Sequence, residues 1–453
     1  MLNLSPARTI CLGFIAFITI GTFLLMLPWA TATGEWNTFL VALFTATSAI
    51  CVTGLVVVDT GSYYSFLGQA IICLLIQLGG LGYMTATTLL LLLVGKRLSL
   101  RDRIALKEAM GSLGGIEVVR LLGRIAALTL GFELIGALLI APMMIAKMGF
   151  ASGLWFSVFH SVSAFNNAGF GLLKDNLTSL QTNFWILGVL GFLIVAGGLG
   201  YQVWIELYQS FWIHDSGTWR WRRTSKVATL SLHTRVVLLT SVILIVVGTI
   251  VIFLIEVNNP KTLGGLDAAH QFSNALFHSI SARTAGFNAV ALENMQEADW
   301  FWLILLMLIG ASPASTGGGL KTTTFAILVS NVLAVVRGRE DVMLLDRRLS
   351  SNAVRKASAV LLGSTATMAL AVMGLTLTDP TLPFVKLLFE VVSGFCTVGL
   401  STGITAQISS AGQIILILTM YIGRVGFLLL AESILSRKPT ASYRQPEEPI
   451  LIG

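Results

Sequence analysis

The chain has 453 residues, of which 55% are hydrophobic and only 11% are charged, and its formal net charge is +7. An ordinary soluble domain carries roughly 25% charged residues, so this composition excludes a soluble enzyme, a disordered chain and a disulfide-stapled secreted domain. It predicts an all-α membrane protein, because a membrane barrel would show short alternating segments instead of long apolar runs. The four cysteines lie in apolar segments without metal-binding spacing: Cys11, Cys51, Cys73 and Cys396.

Eight segments are apolar enough, and long enough at about 20 residues, to cross a membrane as helices. They lie near residues 9–27, 66–94, 121–146, 182–213, 233–255, 300–336, 357–377 and 411–435. A shorter apolar segment lies inside each pair of spans and is followed at once by a glycine-containing turn: 37–50, 154–165, 267–281 and 382–394. Such short segments are typical of re-entrant half-helices.

Basic residues concentrate at residue 8, in the connections between the pairs and in the tail, which together hold 22 of the 29 Lys and Arg. The segments inside the pairs hold five basic residues and ten acidic ones. Because positively charged loops stay in the cytoplasm, this distribution predicts that both termini are cytoplasmic and that the half-helices enter from outside. The basic loops either set this topology alone or also bind an acidic cytosolic partner.

Four short segments recur at nearly equal spacing, one in each pair of spans. They are FTATSAICVTGL at 44–55, FHSVSAFNNAGF at 159–170, FHSISARTAGF at 277–287 and FEVVSGFCTVGL at 389–400. Each begins with Phe, has Ser four residues later and ends in Gly followed by Leu or Phe. The four glycines are 115, 117 and 113 residues apart: Gly54, Gly169, Gly286 and Gly399. The sequence therefore predicts four parallel units of span, pore helix and span (M1-P-M2) around one central pore.

The repeats set the expected boundaries along the chain. In order they are repeat 1 at 1–95, a cytoplasmic loop at 96–119, repeat 2 at 120–213, a loop at 214–232, repeat 3 at 233–336 with a broken second span, a loop at 337–354, repeat 4 at 355–436 and a cytoplasmic tail at 437–453. The second spans of repeats 1, 2 and 4 share glycine motifs at 79–82, 197–200 and, more loosely, 423–426. Small residues let helices pack closely in lipid, so we interpret these glycines as packing residues without a chemical role.

The residues after each half-helix predict a site that selects cations. The C-terminal end of a helix carries partial negative charge, and four such ends would converge on the membrane centre. Unpaired backbone is tolerated there only where it lines a path for water or ions, and its carbonyl oxygens can replace the hydration shell of a cation. Glycine supplies the positive φ that lets successive carbonyls face one axis. The predicted filter residues are Val52, Thr53, Gly54, Asn167, Ala168, Gly169, Thr284, Ala285, Gly286, Thr397, Val398 and Gly399.

These motifs resemble the Trk/Ktr/HKT superfamily of potassium transporters, and within it the Ktr-type (NtpJ-like) membrane subunit of bacteria. ICVTGL, FNNAGF, RTAGF, CTVGL and the loop at 310–319 match, and the resemblance covers nearly the whole chain. It implies K⁺ as the transported ion, Na⁺ as an activating or coupling ion, a homodimer in the bacterial inner membrane and a cytosolic nucleotide-binding regulatory ring. Glycine in all four filters goes with K⁺ preference in that family, and Gly54 places the chain in that group. We expect no cofactor in this chain and no nucleic-acid partner.

Ten residues that include a proline and four glycines interrupt the sixth span at 310–319, where a helix cannot continue. The loop either packs as a kink between repeats or blocks the pore below the filter, and the resemblance favours an intramembrane gate. Arg424, a charge deep in the last span, would face the cavity, hydrogen-bond the loop carbonyls or pair with Glu432. The predicted gate residues are Ser315, Thr316, Gly317, Gly318, Gly319, Lys321 and Arg424.

Other polar residues near the half-helices have roles that the sequence leaves open. Arg283 is expected to brace its filter segment from behind, because a cation that faced the path would repel K⁺. His160, His278 and Glu390 are either satisfied pore-helix groups or members of a proton relay, and the first reading is favoured. Glu133 either couples a proton or Na⁺ or makes a helix-to-helix hydrogen bond.

An alternating-access carrier for a small solute, or a Na⁺/K⁺ symporter with a separate Na⁺ site, is the alternative function. Such a carrier predicts inverted repeats and paired broken helices. The four repeats here are parallel and only one span is visibly interrupted, so the pore is preferred. An intramembrane enzyme is not expected, because no Ser/Lys dyad, paired intramembrane Asp or His/Glu metal cluster is apparent.

Overall fold

The computed structural model describes residues 6–82, 118–211 and 230–434. Most of the predicted loops at 96–119 and 214–232 lie outside these ranges, as does the tail at 437–453. The described chain is mostly helical, which confirms the all-α class. Its only paired strands, within the described ranges, form a small antiparallel hairpin of β1 (Met343–Leu344) and β2 (Arg347–Arg348).

Each predicted repeat contains a long first helix, a half-helix and a second helix in this order, and repeat 1 has a four-residue helix in addition. The helices of the first are α1 (Pro6–Met26), α2 (Phe39–Cys51), α3 (Thr60–Tyr63) and α4 (Phe66–Leu81). The second has α5 (Val118–Met148), α6 (Phe150–Phe165), α7 (Phe184–Leu199) and α8 (Tyr201–Phe211). The third has α9 (Leu232–Glu256), α10 (Ala268–Ser281), α11 (Glu297–Leu308) and α12 (Thr322–Val336). The fourth has α13 (Ser351–Thr378), α14 (Phe384–Phe395), α15 (Ser410–Val425) and α16 (Phe427–Ile434).

The first helix of each repeat is long and apolar enough to cross a membrane. The four candidate spans found among the described residues are Ala7–Met26, Gly123–Met148, Leu232–Glu256 and Ser351–Thr378. Two bent helix pairs bring the number to six if each pair counts as one span. The predicted continuation of the second span from residue 83 to 94 lies outside the described residues.

The four half-helices α2, α6, α10 and α14 begin and end within a few residues of the predicted segments. Each packs against the first helix of its own repeat. The second helix of each repeat also packs against the half-helix of the following repeat: α4 on α6, α7 on α10, α11 on α14, and α15 back on α2. The last contact returns from repeat 4 to repeat 1, so the four repeats form a closed circle. The half-helices are surrounded by the longer helices and form the most buried part of the fold.

The candidate spans at 182–213 and 411–435 are not straight, because each bends sharply. The angle is 93° between α7 and α8 and 94° between α15 and α16. Gly200 and Gly426 lie at these bends with φ of 86° and 88°, and Gly82 ends α4 with φ of 79°. A residue in this conformation terminates the helical hydrogen-bond ladder, and only glycine adopts it without strain. The interruption of the sixth span is therefore not unique, and it no longer argues against a carrier.

The glycine motifs also pack the second helices onto the half-helices, as predicted. A Cβ added at Gly79, Gly197 or Gly423 would overlap a backbone carbonyl oxygen in the last turn of a half-helix. The carbonyls belong to Ile50 and Phe165, and to Phe395 in repeat 4. These contacts fix the distance between each second helix and the end of the half-helix in its own repeat.

Gly197→Ala should destabilise the fold, because its methyl group would meet the backbone carbonyl of Phe165. Overpacking of this kind costs about 1–3 kcal/mol. The change should lower the melting temperature of the detergent-solubilised protein. The melting temperature is measured from the loss of the monodisperse chromatographic peak on heating. Gly188→Ala is the matched control on the same helix α7, since nothing lies within 4 Å of an added Cβ there. Equal melting temperatures for the two variants would contradict the packing role.

Candidate functional site

The residues that follow the half-helices adopt an unusual backbone in all four repeats. The glycines have positive φ as predicted, with values of 92° for Gly54, 69° for Gly169, 76° for Gly286 and 91° for Gly399. The first residue of each predicted filter triplet also has positive φ, although none is glycine: Val52, Asn167, Thr284 and Thr397. Positive φ is uncommon in non-glycine residues and clusters at functional sites. The sequence gives no indication that these four residues have positive φ.

The four triplets lie side by side and close a ring. A Cβ added to each glycine would come within 3.0 Å of the carbonyl oxygen of the middle triplet residue in the next repeat. The pairs are Gly54 with Ala168, Gly169 with Ala285, Gly286 with Val398, and Gly399 with Thr53. The fourth pair returns to the first repeat, so the structure brings all twelve predicted filter residues together, and all are buried.

The carbonyl oxygens of the triplets are available to a ligand. Within the described residues, they accept no backbone hydrogen bond outside the helices and no side-chain hydrogen bond. Buried carbonyls are normally hydrogen-bonded, and unpaired ones persist where they line a path for water or ions. A compact ring of such oxygens is suited to coordinate a dehydrated monovalent cation.

The serine that recurs four residues after each Phe ties its half-helix to the triplet. The hydroxyls of Ser48 and Ser393 accept hydrogen bonds from the backbone N–H of Gly54 and Gly399, both at 3.1 Å. In repeats 2 and 3 the serine hydroxyl donates instead to the carbonyl oxygen just after the glycine. Ser163 reaches Phe170 at 2.8 Å and Ser281 reaches Phe287 at 2.5 Å. The fourfold spacing is the signal by which the sequence marks these residues.

The polar residue after the repeat Phe holds the chain that leaves the triplet. His160 Nε2 accepts from the backbone N–H of Leu172 at 3.4 Å, and His278 Nε2 accepts from that of Val290 at 3.1 Å. Glu390 accepts from the backbone N–H of Thr402 at 3.1 Å. Each contact spans twelve residues. His160 and Glu390 are thus hydrogen-bonded as the favoured reading expects, whereas Nδ1 of His278 is buried without a partner among the described residues.

The predicted gate loop lies against the ring. The backbone N–H of Gly318 donates to the Thr397 hydroxyl at 3.0 Å, and a Cβ added at Gly317 would overlap the hydroxyl of Thr284. Thr316 donates through its hydroxyl to the Phe165 carbonyl at 3.3 Å. The loop thus touches the first triplet residues of repeats 3 and 4 and the half-helix of repeat 2.

Two basic side chains, those of Lys321 and Arg424, hold the loop through its carbonyl oxygens. Lys321 Nζ donates to the carbonyl of Gly317 at 2.6 Å and approaches that of Gly318 at 3.5 Å. The guanidinium of Arg424 donates to the Thr316 carbonyl of the loop and to the Gly79 carbonyl of α4. The sequence left three arrangements open for Arg424, and the structure shows the one in which it hydrogen-bonds a loop carbonyl. Ser315, the remaining predicted gate residue, caps its own turn by donating to the Ser312 carbonyl at 2.6 Å.

Arg283 points away from the ring towards the first helix of its repeat. Its guanidinium contacts the hydroxyl of Ser241 at 3.2 Å and the carbonyl of the same residue at 3.5 Å. This is the bracing position that the sequence predicts. The partner is a serine of α9, and no outer carboxylate pairs with Arg283 among the residues described.

The fold is that of a helical membrane protein with a buried ring of unpaired carbonyl oxygens, and comparison with known proteins identifies its family. The sequence profile of the TrkH family, described as cation transport protein, matches residues 7–442. This chain therefore belongs to the TrkH family of cation transport proteins. The family is one of transporters, in agreement with the expectation that the chain is not an enzyme.

Individual relatives match over nearly their full length. Ktr system potassium uptake protein B of Vibrio alginolyticus is 39% identical, with 98% of this chain and 94% of the relative covered. The protein of that name from Bacillus subtilis is 36% identical, with 99% and 97% covered. Potassium/sodium uptake protein NtpJ of Enterococcus hirae is 36% identical, with 100% and 98% covered.

A solved structure has the same fold. The potassium transporter TrkH from Vibrio parahaemolyticus superposes with a TM-score of 0.66 and 17% sequence identity, covering 93% of this chain and 85% of that one. At this identity the likeness establishes the fold alone. The resemblance predicted from the four motifs is thus confirmed at the level of family and fold.

Proposed function

We propose that this chain is the pore-forming subunit of a K⁺ uptake system, in which four M1-P-M2 repeats surround one channel-like path. The observation that carries the proposal is the closed ring of buried triplets, whose carbonyl oxygens are unpaired among the described residues. Oxygen ligands on backbone that is fixed from behind replace the hydration shell of K⁺. The printed names of the relatives, which include potassium uptake proteins from two species, agree with K⁺ as the ion.

The direction of transport follows from charge. The segments expected outside carry more acidic than basic residues, which concentrates cations at the entrance. The ends of the four half-helices add partial negative charge around the ring. The membrane potential then drives the cation inward with about 2.3 kcal/mol per charge per 100 mV.

The loop at 310–319 is the gate in this proposal. It fills the space next to the triplets of repeats 3 and 4, and Lys321 and Arg424 hold its carbonyls in place. Opening requires those hydrogen bonds to break or to be exchanged. The Lys321 and Arg424 side chains also place positive charge beside the path, which opposes the passage of K⁺ while the loop is closed.

The assembly completes the proposal. The chain forms a homodimer in the bacterial inner membrane with both termini in the cytoplasm, binds a cytosolic nucleotide-binding regulatory ring and depends on Na⁺. The word "system" and the letter B in the names of two relatives support a further component, and the name of a third includes sodium. The basic cytoplasmic connections provide the charge for docking an acidic partner surface.

Uptake measurements test the function. Cells that lack their own K⁺ transporters should accumulate K⁺ and grow at low external K⁺ when they express this chain together with a nucleotide-binding partner. Added Na⁺ should stimulate the K⁺ influx, and the chain without its partner should be less active. Cells carrying the empty vector are the control. Membrane-inserted protein that moves neither K⁺ nor Na⁺ under any of these conditions would overturn the proposal.

Gly54→Ser should raise Na⁺ permeation relative to K⁺ by about tenfold, which corresponds to about 1.4 kcal/mol in relative binding free energy. The reason is that a side chain at Gly54 meets the carbonyl oxygen of Ala168 and deforms the ring. Gly34→Ser is the matched control, because Gly34 also has positive φ, 74°, but has open space around an added Cβ. Ion flux ratios in proteoliposomes provide the measurement. An unchanged ratio in Gly54→Ser would exclude the triplets as the filter.

Deletion of residues 312–318 should raise the basal K⁺ flux several-fold, because it removes the segment that lies against the triplets. Lys321→Met loosens the loop without shortening it and should change the flux in the same direction, since it removes the hydrogen bond to the Gly317 carbonyl. Flux is normalised to the amount of protein in the membrane. If both variants conduct like the wild type, the loop is a packing element and not a gate.

A further inference from the structure

A buried polar cluster lies at the end of the half-helix of repeat 2, directly before its triplet, and its side chains form no hydrogen bond to the gate loop among the described residues. It consists of Glu133 on α5, Asn166 at the end of α6 and Gln77 on α4. Asn166 is fully buried and Glu133 is only 6% exposed. Three helices from two repeats thus bring their polar side chains together at one level, and neither the transport proposal nor the gate uses them.

Asn166 is the centre of this cluster. Its side-chain amide nitrogen lies 2.8 Å from Glu133 Oε1, 3.1 Å from Gln77 Oε1 and 2.9 Å from the Val162 carbonyl, to which it donates. The carboxyl of Glu133 is the nearest of the three acceptors. No basic side chain forms an ion pair with Glu133 within the described ranges, so the side-chain amides of Asn166 and Gln77 are the polar groups that hold its carboxyl.

The surrounding backbone leaves the cluster little freedom. The Ser161 hydroxyl donates to the backbone carbonyl of Glu133 at 2.6 Å, which clamps α5 to α6 at this level. On the other side, a Cβ added at Gly80 would overlap Asn166 Oδ1. The Asn166 side chain is therefore held between α5 and α4, and a change in its contact to Glu133 must be taken up by the chain that follows it.

That chain is the predicted filter segment. Asn166 is the C-cap residue of α6, and Asn167 follows directly with φ of 58°. The Ala168 carbonyl, two residues after Asn166, faces Gly54 in the ring. The backbone N–H of Ala168 is bonded to the Ser163 carbonyl at 2.8 Å, so the segment is short and tightly connected to the helix end. A displacement of Asn166 therefore moves a coordinating oxygen.

The equivalent positions of the other repeats are built differently. Three residues before the ring glycine, repeats 1 and 4 have the buried thiols Cys51 and Cys396, and repeat 3 has Arg283, which is bonded to Ser241. Among these four positions, only Asn166 of repeat 2 contacts a carboxyl group. The hydrogen bond between Asn166 and Glu133 is therefore a feature of repeat 2 alone, and it acts on the second triplet.

We infer that Glu133 is a positioning residue for ion selectivity: its carboxyl holds Asn166, and Asn166 sets the Ala168 carbonyl in the ring. The inference deepens the proposed function and rests on it. Glu133 acts through a hydrogen bond and does not touch the transported ion. What matters is an acceptor at this place, which predicts that glutamine can replace Glu133 and leucine cannot.

The test compares the Na⁺/K⁺ flux ratio of four variants in proteoliposomes at equal protein density. Glu133→Leu should raise the ratio about fivefold, the order expected for the loss of one intramolecular hydrogen bond. Glu133→Gln should keep the wild-type ratio, because its amide oxygen still accepts from Asn166. Asn166→Leu should reproduce Glu133→Leu, and the double variant should be no worse than either single one, since residues in one chain of contacts are not additive.

Thr129→Val is the matched control, because Thr129 is a buried polar residue one turn earlier on α5 and 4% exposed. If Glu133→Leu does not insert, Asn166→Asp tests the same contact with a side chain of the same size that cannot donate as a carboxylate, and it should raise the ratio as well. The inference would be overturned by a wild-type ratio in Glu133→Leu, Asn166→Leu and Asn166→Asp. It would also be overturned if the effects of the two leucine variants multiplied in the double variant. A wild-type protein without cation flux would instead overturn the proposed function.

Discussion

The ring glycines face backbone carbonyl oxygens of the next repeat, and this crowding constrains the structure around them. A side chain on a ring glycine would meet an atom of the main chain, which cannot swing away as the end of a long side chain can. The four segments must consequently keep their mutual distances within tenths of an ångström. The surrounding helices can be understood as the means by which those distances are maintained.

Two sets of contacts maintain them. Close to the ring, the serine hydroxyls fasten each triplet to its half-helix, and the side chains of His160, His278 and Glu390 fasten the chain beyond it. Farther out, glycines of the second helices touch the half-helix carbonyls directly, which leaves no flexible side chain in between. Because rigid contacts follow one another from the outer helices to the ring, the packing of the protein itself holds the carbonyls in place.

The sequence predicts the parts of this structure that repeat. Hydropathy locates the first helices and the half-helices, and the fourfold Phe–Ser–Gly pattern identifies the triplets by its spacing alone. It does not predict the positive φ of Val52 or Thr397, because the left-handed residue that ends a helix is usually glycine and neither residue favours that conformation. The bends at Gly200 and Gly426 are missed for a related reason: apolar residues continue on both sides, so hydropathy does not register the change of direction.

The asymmetry between repeats has a physical reason. In repeats 1, 2 and 4 a glycine of the second helix packs against its own half-helix, whereas in repeat 3 the second helix is interrupted at this place and its loop reaches the other repeats. In the proposed channel the four triplets share one axis, so a single obstructing loop would be sufficient to close it, and three further loops would only weaken the packing that holds the ring. Arg424 joins the loop to the carbonyl of Gly79, a residue of the packing motif in repeat 1. Displacement of the loop is thereby linked to the helix contacts that position the first triplet, so in the proposed function gating and selectivity would share the same contacts.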